Sequence, residues 1–173
     1  MFEPGAVVVY HHRVCEIASV REAYFEGRDY YELHALFENR LKLFVAVDDQ
    51  TAGLRPVIGR DDALALIDAM ADIDPIDEEA VTAGATATLR DRRIKDEYER
   101  LFRDGSPEDL VPIIKSIHQH AATREKTGRH LTAVDKKYAD LAESALCDEL
   151  SVALGIDRDD VADFIEERIG RKG

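Results

Sequence analysis

Residues 41–67 read LKLFVAVDDQTAGLRPVIGRDDALALI, and the hydrophobic period changes within them. Leu41, Leu43, Val45 and Val47 alternate with Lys42, Phe44 and Ala46, the period of a strand with two distinct faces. Beyond Gly59, Leu64, Ile67 and Met70 recur at helical spacing behind Asp61 and Asp62, acidic residues that favour a helix N-terminus. The stretch therefore marks a boundary with strands before it and helices after it. The fold class is α+β, in two modules.

Upstream of the boundary, Val7–Tyr10 is a β-branched run behind Pro4 and Gly5, and 14–20 alternates imperfectly through Ile17 and Ala18. Tyr30, Tyr31, Leu33 and Leu36 follow a turn-like Glu26, Gly27, Arg28 and Asp29. Four or five short strands punctuated by Gly, Asp and Asn predict a small, strongly bent antiparallel sheet or barrel over residues 1–58. A β unit of that size is marginal alone and is expected to lean on the helices.

Downstream, residues 59–84 read as one helix and a linker. Asp74-Pro75 and the small, non-periodic 82–88 segment around Gly84 predict a loop. Residues 85–173 predict a helical bundle, with helices over 90–102, 107–122, 132–154 and 158–169. Ser106 precedes Pro107 at a tolerated first position, Thr132 and Asp135 form a capping signal, and Gly155 is placed to end the third helix.

The chain has 173 residues, is 45% apolar and carries a formal charge of −13. Its apolar content excludes simple disorder. The acidic total opposes free binding to nucleic acid or to an anionic membrane, because a phosphate-binding surface is locally positive. By segment, residues 1–84 hold 7 basic and 17 acidic side chains, 85–137 hold 12 and 9, and 138–173 hold 4 and 10, which gives −10, +3 and −6. One positive island lies between two acidic ends. Within it, Arg90, Arg92, Arg93 and Lys95 cluster at a helix start, while Arg124, Lys126, Arg129, Lys136 and Lys137 gather around the next loop and helix. The bland alternative is a solvated face of intrahelical ion pairs.

No stretch approaches the ~20 apolar residues needed to span a bilayer, and the start has no signal-peptide pattern, so a cytoplasmic location without membrane association is expected. Cys15 and Cys147 are isolated thiols without metal or redox spacing. His11-His12 with Asp48-Asp49 or Asp61-Asp62 is the only metal-like set, but adjacent strand residues point to opposite faces and do not chelate together. His118 and His120 lie about 200° apart around a helix and diverge. No phosphate-loop, dinucleotide, zinc-protease or nucleophile-elbow motif occurs. The sequence calls for no catalytic residue, metal or cofactor, and the expectation is a non-enzyme.

Phe2, Gly5, Val7–Tyr10, the Tyr30-Tyr31 strand and above all residues 41–67 resemble the CarD/CdnL family of bacterial transcription regulators. RRIKDEYERLFRDGSPEDLVPIIKSIHQH and RHLTAVDKKYADLAESALCDELSVALGI are similar to the family's helical domain in order and spacing. The resemblance covers about residues 2–156, most specifically around GLRPVI. It implies a Tudor-like, SH3-like N-terminal barrel at 1–58 that binds the RNA polymerase β subunit, and a helical domain that contacts promoter DNA and stabilises the open complex. The implied protein is a monomeric activator with no enzymatic activity.

On these grounds Lys42, Phe44 and Val45 are the expected polymerase contacts through an exposed strand edge. Arg90, Arg92, Arg93, Lys95, Arg129, Lys136 and Lys137 are the expected DNA contacts. Family members commonly carry a Trp wedge at the start of the first DNA-binding helix. This chain has no Trp, and the matching position falls at about Arg90, beside Leu89. Residues after Gly155 extend beyond the shorter members. The alternative is a polymerase- or protein-binding interaction module without DNA contact.

Overall fold

A computed structural model describes residues 1–49 and 53–171. Residues 50–52 of the boundary stretch, and 172 and 173 of the expected helical unit, lie outside the described residues. The strands are β1 (Val7–Tyr10), β2 (Arg13–Phe25), β3 (Arg28–Ala35), β4 (Lys42–Ala46) and β5 (Leu54–Pro56). They form one antiparallel sheet in the order β4-β3-β2-β1-β5, with β4 and β5 at its ends. The helices are α1 (Arg60–Ala69), α2 (Glu78–Thr82), α3 (Ala87–Asp104), α4 (Pro107–Lys126), α5 (Ala133–Leu154) and α6 (Val161–Gly170), with a 3-10 turn at Arg158–Asp160 before α6.

The imperfect alternation in β2 has a local cause. Ile17 faces Leu33 and Ser19 faces Glu32, so Ala18 is an extra residue in the ladder and the inward phase moves from Ile17 to Val20. A second register shift between Arg21 and Phe25, with Ala23 at φ 46°, turns the end of the strand again.

Several boundaries differ from the sequence reading: α3 begins at Ala87, ahead of the expected 90, and the expected 158–169 helix divides into the 3-10 turn and α6. The expected 74–88 loop contains α2, whose first turn is capped by Asp77 accepting from the Ala80 N–H at 3.0 Å. Five residues with only Thr82 buried leave no apolar stripe to read. Their fold is held instead by Arg93 Nη1 donating to the Ala83 carbonyl at 2.9 Å and Ile76 N–H donating to Ser116 Oγ at 2.9 Å. Helix α4 also runs on to Lys126, past the expected end at 122, because its last turn is largely exposed and carries no hydrophobic signal.

Apolar side chains gather in two clusters. Val8, Cys15, Ile17, Tyr31, Leu33 and Val45 fill one face of the sheet. The larger cluster joins Ile67 of α1, Tyr98 of α3, Ile113 and Ile117 of α4, Leu146 and Leu150 of α5, and Val161 of α6. Helix α6 is thus part of the helical core. Its Arg168 makes a two-pronged bond to Asp68 of α1 at 2.6 and 2.8 Å.

Sheet and helices meet along a defined seam. Val9 and Val14, paired across β1 and β2, are buried on the face opposite Val8 and Cys15, where α5 packs on β2. The turn after β1 seats His12 against Phe102 of α3 with ring centroids 4.5 Å apart. The α3–α4 corner comes so close that a Cβ on Gly105, at φ 63°, would lie 2.4 Å from the His11 carbonyl oxygen. Between them, Arg55 of β5 donates from Nη1 and Nη2 to the two carboxylate oxygens of Glu149 on α5, at 2.6 and 2.7 Å.

Candidate functional site

At the sheet edge, β4 alternates as its sequence implies. Lys42 and Phe44 face outward and exposed, whereas Val45 is 4% exposed and belongs to the sheet core. Val45 therefore offers its main chain to the edge, while its side chain packs inside the sheet. Phe44 stacks on Tyr24 at 5.0 Å and 12°, and Tyr24 meets Tyr30 edge-on at 5.9 Å. Tyr24 and Phe25 are both more than half exposed. No sequence period marks Tyr24, because the register shift before Phe25 aims it at Phe44 across β3.

Lys42 is not a free cation. Its Nζ donates to Glu32 at 3.1 Å, and the same carboxylate accepts from Arg21 Nε at 2.8 Å and Ser19 Oγ at 3.3 Å, with His34 Nε2 at 2.9 Å. Glu32 is 4% exposed on the sheet face opposite the apolar cluster. Hydrogen bonds from His34, Arg21 and Lys42 outweigh its desolvation and hold its pKa down to about 2. The sequence reading missed this centre. Its members are spread over β2, β3 and β4, and only the antiparallel register brings them together.

The expected DNA-contacting residues divide into smaller groups. Arg90 is exposed in the first turns of α3, where its N–H donates to the Thr86 carbonyl at 2.8 Å and its guanidinium makes no hydrogen bond or ion pair among the described residues, next to Leu89 at 39% exposed. Arg92 lies 4.0 Å from Asp96, Lys95 lies 3.3 Å from Glu99, and Arg93 turns back to the Ala83 carbonyl. Glu99 also accepts from the Tyr138 hydroxyl at 3.1 Å, and the Lys137 ammonium sits 5.5 Å from the Tyr138 ring centroid. Lys95 and Lys137 thus share one face around Glu99, whose pKa is lowered chiefly by the Lys95 bond. Arg129 and Lys136 line another hollow together with His130. The described contacts do not join Arg90 and Arg92 to Arg129 and Lys136.

A cleft of about 590 Å³ between α2 and the end of α4 places Arg124 and Arg129 with Asp77, Glu78 and Glu79, so acidic side chains offset part of that cationic field. His120 closes one side of it. Its Nε2 lies 2.6 Å from Glu78 Oε1, and its Nδ1 lies 3.5 Å from Asp135 Oδ1, short of good hydrogen-bond geometry. Asp135 foremost, with Glu78, raises the His120 pKa against the effect of burial. His118 points elsewhere, to Glu143 at 2.9 Å.

Several other titratable groups are packed or paired. The His11 ring lies against Tyr10, and burial lowers His12 to about 4. Arg28 holds Asp48, while Cys15 is free and buried, its pKa pushed up to about 11 by desolvation. Cys147 is free as well. Among the described residues no group of three or more His, Cys, Asp or Glu side chains is arranged to hold a metal ion, and no helix is long and apolar enough to cross a membrane. Comparison with protein-family models finds no match, and comparison with curated proteins finds none either, so the geometry above is what bears on function.

Proposed function

We propose that the chain is a CarD-like, non-catalytic transcription regulator. In this reading its sheet is a Tudor-like unit that docks on the RNA polymerase β subunit, and its helical domain contacts promoter DNA and lengthens the life of the open complex. The observation that carries it is the edge strand β4, with outward Phe44 and no second strand partner among the described residues, joined to a helical unit that holds the chain's net-positive segment. An edge strand offers main-chain donors and acceptors for β-augmentation, with Phe44 as side-chain anchor. The order of these parts is that of the resembling family over residues 2–156.

DNA affinity by itself is weak in this reading. The net charge is −13, and several island cations are already paired with Asp96, Glu99 or a main-chain carbonyl. Tethering to polymerase supplies the effective concentration that a few phosphate contacts lack. Arg90, whose guanidinium has no partner among the described residues and stands beside exposed Leu89, takes the place of the family's Trp wedge, without the stacking contribution of an indole. The test replaces Arg90, Arg92 and Arg93 by Ala. The expected result is a shorter open-complex lifetime with unchanged binding to the isolated β-subunit lobe, and an unchanged lifetime refutes the DNA assignment.

A second reading, an interaction module that binds polymerase or another protein without touching DNA, is favoured by the Arg92–Asp96 and Lys95–Glu99 pairs and by the acidic rim of the Arg124–Arg129 cleft. Promoter crosslinking to the helical domain that requires polymerase and falls with salt separates the two: its presence supports DNA contact, its absence the interaction module.

A further inference from the structure

The seam between sheet and helices is built differently from an incidental contact of two units on a linker. Glu149 is 2% exposed, and three donors converge on it from the segment that leads from sheet to helices: Arg55 Nη1 at 2.6 Å, Arg55 Nη2 at 2.7 Å and the Ile58 N–H at 3.1 Å. The same guanidinium donates to the Gly105 carbonyl at 2.7 Å, so one side chain of β5 holds both α5 and the α3–α4 corner. A planar guanidinium that donates from Nη1 and Nη2 to α5 and to the α3–α4 corner, while its Nε is buried without a hydrogen bond among the described residues, has a single orientation, which a lysine ammonium on a flexible stem does not impose. The His12–Phe102 ring contact and the close approach of Gly105 to His11 fix the same corner from the other side.

Helix α3 carries this constraint outward. Phe102 and Gly105 stand at its seam end, and Arg90 lies twelve residues earlier, about 18 Å away along the axis at 1.5 Å per residue. Whatever orients the corner therefore aims the cationic start of the helix.

We infer that Arg55 and Glu149 are positioning residues: they touch neither partner, but lock the sheet and the helical unit into one body so that α3 presents its cationic end at a fixed place relative to the β4 edge. This rests on the transcription reading above for its consequence, though not for its geometry. A tethered contact works only when both surfaces can be engaged at once, so a loosened seam lowers the effective concentration of the second contact without altering the first.

Removing Arg55 alone would leave a buried carboxylate uncompensated and endanger folding. The informative variants are Glu149→Gln, which keeps shape but loses charge, and the double variant Arg55→Met with Glu149→Leu, which replaces the pair by apolar side chains and keeps the seam filled. Residual dipolar couplings of the full chain report whether sheet and helices share one alignment. Open-complex lifetime with polymerase and promoter reports the consequence, and affinity for the isolated β-subunit lobe reports the first contact.

The expected result for the double variant is two separate alignments, lobe affinity changed by less than about twofold, and a lifetime effect reduced about fivefold or more, in the range of an ordinary coupling energy. Glu149→Gln is expected to give the same pattern, smaller. A single shared alignment in both variants overturns the lock, and separated alignments with an unchanged lifetime effect overturn the positioning role. If the wild-type chain fails to lengthen open-complex lifetime, the transcription reading and the positioning role fall together, while the alignment data still decide the lock.

Discussion

The sheet and the helical bundle bury their apolar residues on very different scales. Among the described residues the sheet cluster has six buried members and the helical cluster seventeen, drawn from α1, α3, α4, α5 and α6. Each region also buries one glutamate, Glu32 at 4% and Glu149 at 2% exposed, and the two are used in opposite ways. Glu32 gathers side chains of its own sheet, while Glu149 reaches out of the bundle to hold β5. The small core is closed from outside, where α5 packs on β2 behind Val9 and Val14. Its polar face is neutralised internally, and its rear face is closed by the neighbour that the larger core makes rigid.

The largest test of that dependence is Arg55→Ala, which leaves Glu149 buried without its counter-charge and is expected to cost about 3–5 kcal/mol in denaturant unfolding. If the sheet leans on the helices, the resonances of Tyr31 in the sheet are lost in the same transition as those of Tyr98 in the bundle. A second step, with Tyr98 retained after Tyr31 is lost, breaks the comparison. Leu150→Ala, at a fully buried position of α5, is expected to lower stability by about 2–5 kcal/mol and to weaken both regions. A loss confined to the helical resonances would mean the two cores are independent.

Acid and base probe the two regions with opposite signs. Glu32 has a folded pKa of about 2, so its contribution is present above the unfolded carboxyl value near 4.5 and is lost as pH falls from there through 2. His12 is held neutral to about 4, so the seam loses stability as pH drops from 6.5 towards 4, where the unfolded chain takes up a proton and the folded one resists. The raised pKa of His120 acts the other way. Its contribution is complete below 6.5 and is lost as pH rises through its folded value. Glu32→Gln, His12→Ala and His120→Ala should each flatten the corresponding part of the stability–pH curve, and a curve unchanged by all three would refute these assignments. The smallest effect is expected from Lys95→Ala, whose solvent-exposed i,i+4 pair with Glu99 is expected to change thermal unfolding only slightly, by less than any other of these variants, and to fade with added salt.

Much of the architecture is legible in the chain because it rests on local chemistry. Alternation marks β4, Ser106 and Thr132 cap α4 and α5 by accepting from Asp109 and Asp135 N–H groups, and Gly155 ends α5 in the left-handed conformation that glycine tolerates. What escapes reading is what depends on register or on distant partners. Helix α2 has no stripe of its own, Glu32 gathers its partners only through the sheet register, and Tyr24 acquires its stack with Phe44 beside a register shift in β2. The cations of the island are visible as composition, but their pairing with Asp96, Glu99 and the Ala83 carbonyl follows from helix phase and packing.

Periods, caps and charge counts act over a few neighbouring residues, and they are enough to put strands before helices, to place the boundary between them, and to locate the net positive charge in residues 85–137. Packing across the chain is what buries Glu32 and Glu149, engages Lys42, and brings Arg55 to a helix carboxylate 94 positions away. Each of those contacts joins residues far apart in the chain, and no local preference encodes a partner that folding alone brings within reach.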